Sequence, residues 1–277
     1  MKKTSLVTFL VILSVLSLLV SCNKKSGNVA TTTETPVTKI IVGATPQPHA
    51  EMLALVQDDM KEAGYTLEIK EFTDYVTPNE ALESGEITAN FYQHLPYMDS
   101  FNRDRGFHLV SAGGIHIEPL ALYSKYFDSL DAFKNSRSRK SIAIPNDPTN
   151  EGRALLLLQS AGIITLNDST SLESTPADIK DGAGIHFEEI EAASLPRVLD
   201  DVDAAVINGN YAIPAGLLAT RDGLYIEGAD SPYVNVIAVK QGNENLPAIK
   251  KLVELLKGEK VKKWVEETYP NGEVILV

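Results

Sequence analysis

Cysteine occurs once in the 277 residues, at position 22, so no internal disulfide framework can staple the fold. Positive charge is scarce: 25 Lys and Arg stand against 37 Asp and Glu, a net charge of −12. The basic string "NSRSRKS" at 135–141 is short, so the composition argues against a nucleic-acid partner. Long apolar runs are absent except for Ser5 to Val20, sixteen residues without a charge. That is short for a membrane-spanning helix, which needs about 20 residues. Signatures of catalysis are missing too. There is no G-x-S-x-G elbow, no H-E-x-x-H, no P-loop, and no G-x-G-x-x-G after the first strand. No solenoid period is visible.

The one apolar run has a purpose readable from its flanks. Lys2 and Lys3 precede it, and Leu19-Val20-Ser21-Cys22 follows. This is the layout of a signal peptide over 1–21. The four residues resemble the lipobox of bacterial lipoproteins, in which the cysteine is acylated and becomes the mature N-terminus. Loss of Lys2 and Lys3 would take the net charge from −12 to −14. Residues 22–37 are polar and Thr-rich with no hydrophobic period, as expected of a flexible tether.

From Thr38 onward, strand-like and helix-like segments alternate, which predicts an α/β protein with largely parallel sheets. "TKIIVGAT" (38–45), "YTLEIKEF" (65–72), "ITANFY" (87–92), "SIAIP" (141–145), "VDAAVI" (202–207) and "YVNVIAVK" (233–240) read as strands. Helical spacing of Met52, Leu55, Val56 and Met60 predicts a helix over 49–64. The stretch "IPNDPTNEGRALLLL" (144–158) reads as a strand end, a cap at Asp147, Pro148 in the first helical position and a buried helix. It places Arg153 in or near the first turn, where the helix dipole disfavours a cation. A negative partner is therefore required. Either Asp147 or Glu151 supplies it locally, or a ligand carboxylate does.

Ligands of open α/β sheets bind beyond the carboxyl ends of strands. Several strands here run into polar and aromatic loops. These carry His49, Tyr75, the group Gln93-His94-Leu95-Pro96-Tyr97, the group Asn146 to Arg153, and Asn208-Gly209-Asn210-Tyr211. Arg153 can fork a carboxylate. Asn side chains can donate to it or accept from an ammonium group. Tyr75, Phe91, Tyr92 and Tyr97 can wall an apolar or thioether tail. The set describes a pocket for a zwitterion with a medium apolar tail.

The strings "VGATPQPHAEML", "FTDYVTPNEALESGEITANFYQHLPYM", "IAIPNDPTNEGRALLLLQSAGII", "VDAAVINGNYAI" and "YVNVIAVK" resemble the methionine-binding lipoproteins of ABC importers, the NlpA/MetQ type. The resemblance covers about 38–277 and includes the lipobox. It implies a two-lobe periplasmic-binding-protein fold with a hinge, closing on the ligand in a cleft. Lobe 1 would comprise 38–120 plus 234–277, and lobe 2 would comprise 121–233. It implies capture of L-methionine or a close analogue and delivery to a membrane permease and its ATPase. The subunit would be a monomer, without chemistry, cofactor or metal of its own. It would sit in the cell envelope, facing outward on a bacterial membrane through acylated Cys22. Carried over residue by residue, the site is Tyr75, Tyr92, His94, Tyr97, Asn150, Arg153, Asn208 and Asn235, with Glu118 as ammonium partner. Where the family often shows "NYFQH", this chain has "NFYQH" at 90–94. The pocket ring becomes Tyr92, whose hydroxyl needs a partner. The rival within the same architecture is a zinc-binding lipoprotein in which His49, His94 and His116 converge on the metal.

Overall fold

The computed structural model describes residues 38–228 and 231–277. The expected signal peptide, Cys22 and the tether lie outside these residues. Among the described residues no helix is long and apolar enough to cross a membrane.

The chain opens with β1 (Lys39–Ala44), whose Ile40, Val42 and Ala44 are fully buried. A wide turn over Pro46–Ala50 leads into α1 (Glu51–Leu55) and α2 (Gln57–Glu62). The single helix expected over 49–64 is therefore broken at Val56, where φ is −102° and ψ 3°. Its apolar face nonetheless stays continuous, since Met52, Val56 and Met60 are all buried. Next come β2 (Thr66–Glu71), α3 (Thr77–Ser84), β3 (Ala89–His94), α4 (Leu95–Arg105) and β4 (Leu109–Ile117).

The chain then crosses into a second sheet. It forms β5 (Ala121–Tyr123), α5 (Leu130–Asn135), β6 (Ser141–Pro145) and α6 (Pro148–Ser160). A small pair follows, β7 (Thr165–Leu166) with β8 (Ile179–Asp181). After it come β9 (His186–Ile190), α7 (Leu195–Val198), β10 (Ala204–Ile207), α8 (Gly209–Ala212), α9 (Ala219–Asp222) and β11 (Gly223–Ile226). Beyond a second crossing, β12 (Asn235–Lys240), α10 (Pro247–Leu256), α11 (Glu259–Thr268) and β13 (Ile275–Leu276) return to the first sheet.

The sheets have the orders β13-β4-β12-β3-β1-β2 and β11-β5-β10-β6-β9. Both are mixed, which corrects the expectation of largely parallel sheets. In the first, β1 pairs in parallel with β2 and β3, but β12 enters antiparallel to β3 and β4 because it comes back from the other sheet. In the second, β5 runs antiparallel to β10 and β11.

Each sheet has its own core. Ile40, Met52, Phe91, Ile237, Ile249 and Leu252 belong to one cluster on the first. The second sheet is covered on both faces, and period-two alternation assigns the sides. Ile142, Ile144, Ala204 and Val206 face one cluster, whereas Ala143, Ala205 and Ile207 face another. Helix α6 packs on the first of these through Leu155 and Leu158, both fully buried. Gly152 lets a strap cross the same helix, since a Cβ there would sit 2.3 Å from the Leu172 carbonyl oxygen.

Leu158 anchors the helix that carries Asn150 and Arg153 without lining their pocket. Leu158→Ala should lower unfolding stability by about 2–5 kcal/mol through loss of burial and a residual cavity. Urea unfolding checks this, with the midpoint moving down and the slope unchanged.

Candidate functional site

The ends of β3, β6 and β10, and the start of β12, meet around a narrow pocket. Each contributor is aimed by local structure. His94 caps α4, its Nδ1 accepting from the Tyr97 N–H at 3.1 Å. Asp147 caps α6 by accepting from the Asn150 N–H at 3.0 Å, as the sequence implied. Asn208 occupies the capping position of α8. Asn235 opens β12 with His94 and His116 opposite it on the two neighbouring strands. Register shifts on both sides of that position mark a bulge. A bulge re-aims a side chain out of the ladder, which reconciles an Asn with an otherwise apolar strand.

All nine residues expected at the site line this one pocket: Tyr75, Tyr92, His94, Tyr97 and Glu118, with Asn150, Arg153, Asn208 and Asn235. Gln93, Gly209 and Asn210 line it too. Phe91 does not. It points to the opposite face of β3 and packs in the first core, edge-on to the rings of His49 and His116. The Tyr92 hydroxyl does find a partner: it donates to the Tyr75 carbonyl at 2.8 Å, and Tyr97 donates to the same oxygen at 2.8 Å. The Tyr92 and Tyr97 rings are thereby tied to the backbone of Tyr75, whose own hydroxyl is held by Asn210.

Arg153 sits at the sixth position of α6, just past the first turn, and is 4 % exposed. Its negative partner is neither Asp147 nor Glu151. It is Glu227, 74 residues away at the second crossing, which takes Nε at 2.9 Å and also pairs with Nη2. Nη2 donates further to the Glu118 carbonyl at 2.9 Å, and the guanidinium lies 4.3 Å from the centre of the Tyr233 ring. Nothing local to "NDPTNEGR" signals Glu227 or Tyr233, because both are brought in by the return of the chain.

The Asn150 carboxamide is spent inside the protein. Its Nδ2 donates to both Asp147 oxygens at 2.9 and 3.0 Å. Its Oδ1 accepts from Asn208 Nδ2 at 2.7 Å and lies 3.1 Å from His94 Nε2. Asn150 thus joins the two sheets rather than holding free donors. Tyr75 hydroxyl to Asn210 and Tyr211 hydroxyl to the Thr73 carbonyl are further bonds of this kind. Among the described residues, Asn208 Oδ1 and Asn210 Nδ2 are buried without a partner.

The three histidines of the zinc reading do not converge. His94 turns to Asn150, while His49 and His116 meet at Glu118. Burial pushes His49 down to about 4 and His116 to about 3. Burial and then the Arg153 charge push His94 to about 3. Burial pushes Glu118 up, opposed by His49 and Arg153.

Two mixed α/β sheets, joined by two crossings and enclosing a polar pocket between their strand ends, define a two-lobed periplasmic-binding-protein fold. The comparisons narrow this. The NlpA lipoprotein family matches residues 40–277, and the chain belongs to that family. The membrane lipoprotein TpN32 of Treponema pallidum is 44% identical over 234 residues, covering 84% of this chain and 86% of the relative. The D-methionine-binding lipoprotein MetQ of Salmonella typhi is 42% identical over 238 residues, covering 85% and 86%. A solved nutrient-binding protein of Burkholderia cenocepacia, bound to methionine, is 42% identical with a TM-score of 0.81, covering 86% of this chain and 99% of that one.

The buried histidines make stability depend on acid. Their folded pKa values lie below the ordinary 6.5, so the unfolded chain takes up protons first as pH falls. Stability should be complete above about 6.5 and fall towards pH 4, each histidine contributing a slope of about 1.4 kcal/mol per pH unit. Glu118 and Asp147, raised by burial, act in the opposite direction. Urea midpoints across this range should therefore fall less steeply in His94→Gln, while the two slopes agree above pH 7.

Proposed function

We propose that this chain is the substrate-binding subunit of an ABC importer that captures methionine or a close analogue and hands it to a membrane permease and its ATPase. The observation that carries the reading is one pocket holding opposite charges beside an aromatic wall. Arg153 and Glu118 are both buried there, with Tyr75, Tyr92 and Tyr97 alongside. An α-amino acid is a zwitterion, and the pocket offers a cation for its carboxylate and an anion for its ammonium. Tyrosine faces suit a thioether tail. Asn208 Oδ1 and Asn210 Nδ2, unpartnered within the chain, supply an acceptor and a donor for the polar head.

Glu227 and Tyr233 occupy one side of the guanidinium, so the ligand carboxylate approaches from the pocket side. Asn235 at the bulge contacts the same polar head. The lobes meet through Tyr75–Asn210 and His94–Asn150, and closure of this kind would bury the ligand between them. The work is capture and release, without bond chemistry. The subunit acts as a monomer, held to the outer side of a bacterial membrane by lipid on Cys22. The methionine-named relatives support the ligand class, and the lipobox supports the anchor.

Arg153→Ala should weaken methionine binding by about 3–5 kcal/mol, the scale for breaking a desolvated charge pair. Arg153→Lys should recover part of it, since lysine keeps the charge but cannot hold Glu227 by the Nε–Nη2 fork while also reaching the ligand. Calorimetry giving near-normal affinity in Arg153→Ala would reduce this residue to the counter-ion of Glu227. Cys22→Ser should move the protein from the detergent phase to the aqueous phase or leave an uncleaved precursor of higher mass, because acyl chains contribute about 0.8 kcal/mol per buried methylene. A Cys22→Ser protein of mature mass that still partitions into detergent would remove the anchor from the reading.

A further inference from the structure

Behind the pocket wall lie two fully buried imidazoles that face one carboxylate. Glu118 Oε1 is 2.8 Å from His116 Nε2 and 3.3 Å from His49 Nε2, the second a contact rather than a formed hydrogen bond. Phe91 packs edge-on to both rings and keeps them apart from solvent. The other side of the carboxylate is fixed as well. A Cβ at Gly209 would sit 2.7 Å from Oε2, so glycine there lets the backbone come close to the carboxylate. Glu118 has almost no room to turn.

The proton positions follow from partners. Each imidazole is neutral and carries one ring proton. His116 Nε2 carries its proton and donates to Glu118 Oε1. His49 carries its proton on Nε2 because a bare lone pair 3.3 Å from a carboxylate oxygen would be repelled, although no hydrogen bond forms there. His49 Nδ1 is then bare and accepts from the Thr45 hydroxyl at 2.8 Å. His116 Nδ1 is buried with no partner among the described residues. A bare lone pair is tolerated in such a place better than an orphaned N–H. This also separates the cluster from a metal centre, although its three ligand atoms lie within 4.8 Å of one another. Ligation through His116 Nε2 would move the proton to Nδ1, and a metal-bound histidine almost always donates that proton to something.

We propose that His116, backed by His49 and Thr45, is a positioning residue: it holds Glu118 as an oriented acceptor for the ligand's α-ammonium group. None of the three lines the pocket; they act through Glu118. The proposal rests on the zwitterion reading above, because it assigns them to one half of that ligand, the ammonium.

The test uses two ligands, methionine and its deamino analogue, with hydrogen in place of the ammonium, measured by calorimetry on protein stripped of bound amino acid. His116→Phe removes the N–H while keeping a ring. Thr45→Val is gentler, nearly isosteric, and loosens only the His49 tautomer, so it remains informative if His116→Phe folds poorly. His116→Gln restores a donor. Methionine affinity should fall at least about tenfold in His116→Phe, the scale of a hydrogen bond to a charged group. It should fall less in Thr45→Val and recover in part in His116→Gln. The deamino analogue should bind the parent and the variants alike. Equal weakening of both ligands would overturn the proposal in favour of a general packing role, and so would unchanged methionine binding. Zinc held one-to-one through dialysis, and lost in His116→Phe, would overturn it in favour of a cation site. A parent chain that binds neither ligand would instead overturn the methionine reading itself.

Discussion

A guanidinium buried on the second turn of α6 is tolerable because Glu227 reaches it from the second crossing. Isolated burial of that charge would cost several kcal/mol, and removing one partner of such a pair typically costs about 3–5. The pair also sets geometry. Glu227 exchanges backbone contact with Leu120 at the first crossing, its N–H donating to the Leu120 carbonyl at 2.8 Å. Its carboxylate accepts from the Leu120 N–H at 3.3 Å. Both crossings and the site helix therefore share one acidic side chain. Tyr233, also on the second crossing, stacks on the same guanidinium and meets the His94 ring edge-on at 4.9 Å. Both crossings pass through this knot, so the spacing of the two sheets is fixed there.

The buried amides divide into two kinds by how their hydrogen bonds are spent. Asn79, Asn90 and Gln93 form a closed set beneath β3. Asn79 Nδ2 donates to Gln93 Oε1 at 2.9 Å, Gln93 Nε2 donates to Asn79 and Asn90 at 2.7 and 2.9 Å, and Asn90 Nδ2 donates to Asn79 at 2.8 Å. A satisfied network of this sort stiffens its surroundings. It holds the strand that presents Tyr92 and His94. Asn150 belongs to the same class, since its carboxamide is consumed by Asp147, Asn208 and His94. Asn208 and Asn210 belong to the other class, each with a buried polar atom left over at the pocket. Composition makes no such distinction among asparagines; partner geometry does.

Periodicity and capping carried much of this architecture. The apolar spacing of "AIKKLVELL" buries Ile249, Leu252 and Leu256 on one face, and "NDPT" caps and starts α6, because both effects act within a turn or two of chain. The polar loops at strand ends marked the pocket, because strand ends in such sheets converge. Residue chemistry placed both Phe91 and Tyr92 in the wall; the choice of Tyr92 came from the family resemblance, and the alternating faces of β3 explain why Phe91 packs in the core instead. The same local reasoning missed the break at Val56 and the mixed pairing of both sheets. Strand direction depends on where a segment returns from, and that information is not local.

What the residues determined by themselves is therefore a set of chemical groups, one arginine at a capped helix and a cluster of tyrosines and asparagines beyond strand ends, to which the family resemblance added the carboxylate of Glu118. Which of them pair was decided by tertiary structure. Glu227 and Arg153 are 74 residues apart, His49 and Glu118 are 69 apart, and Tyr75 meets Asn210 across 135. Contacts at such separations arise from two crossings and two sheet orders. A short-range signal has no physical means of specifying them.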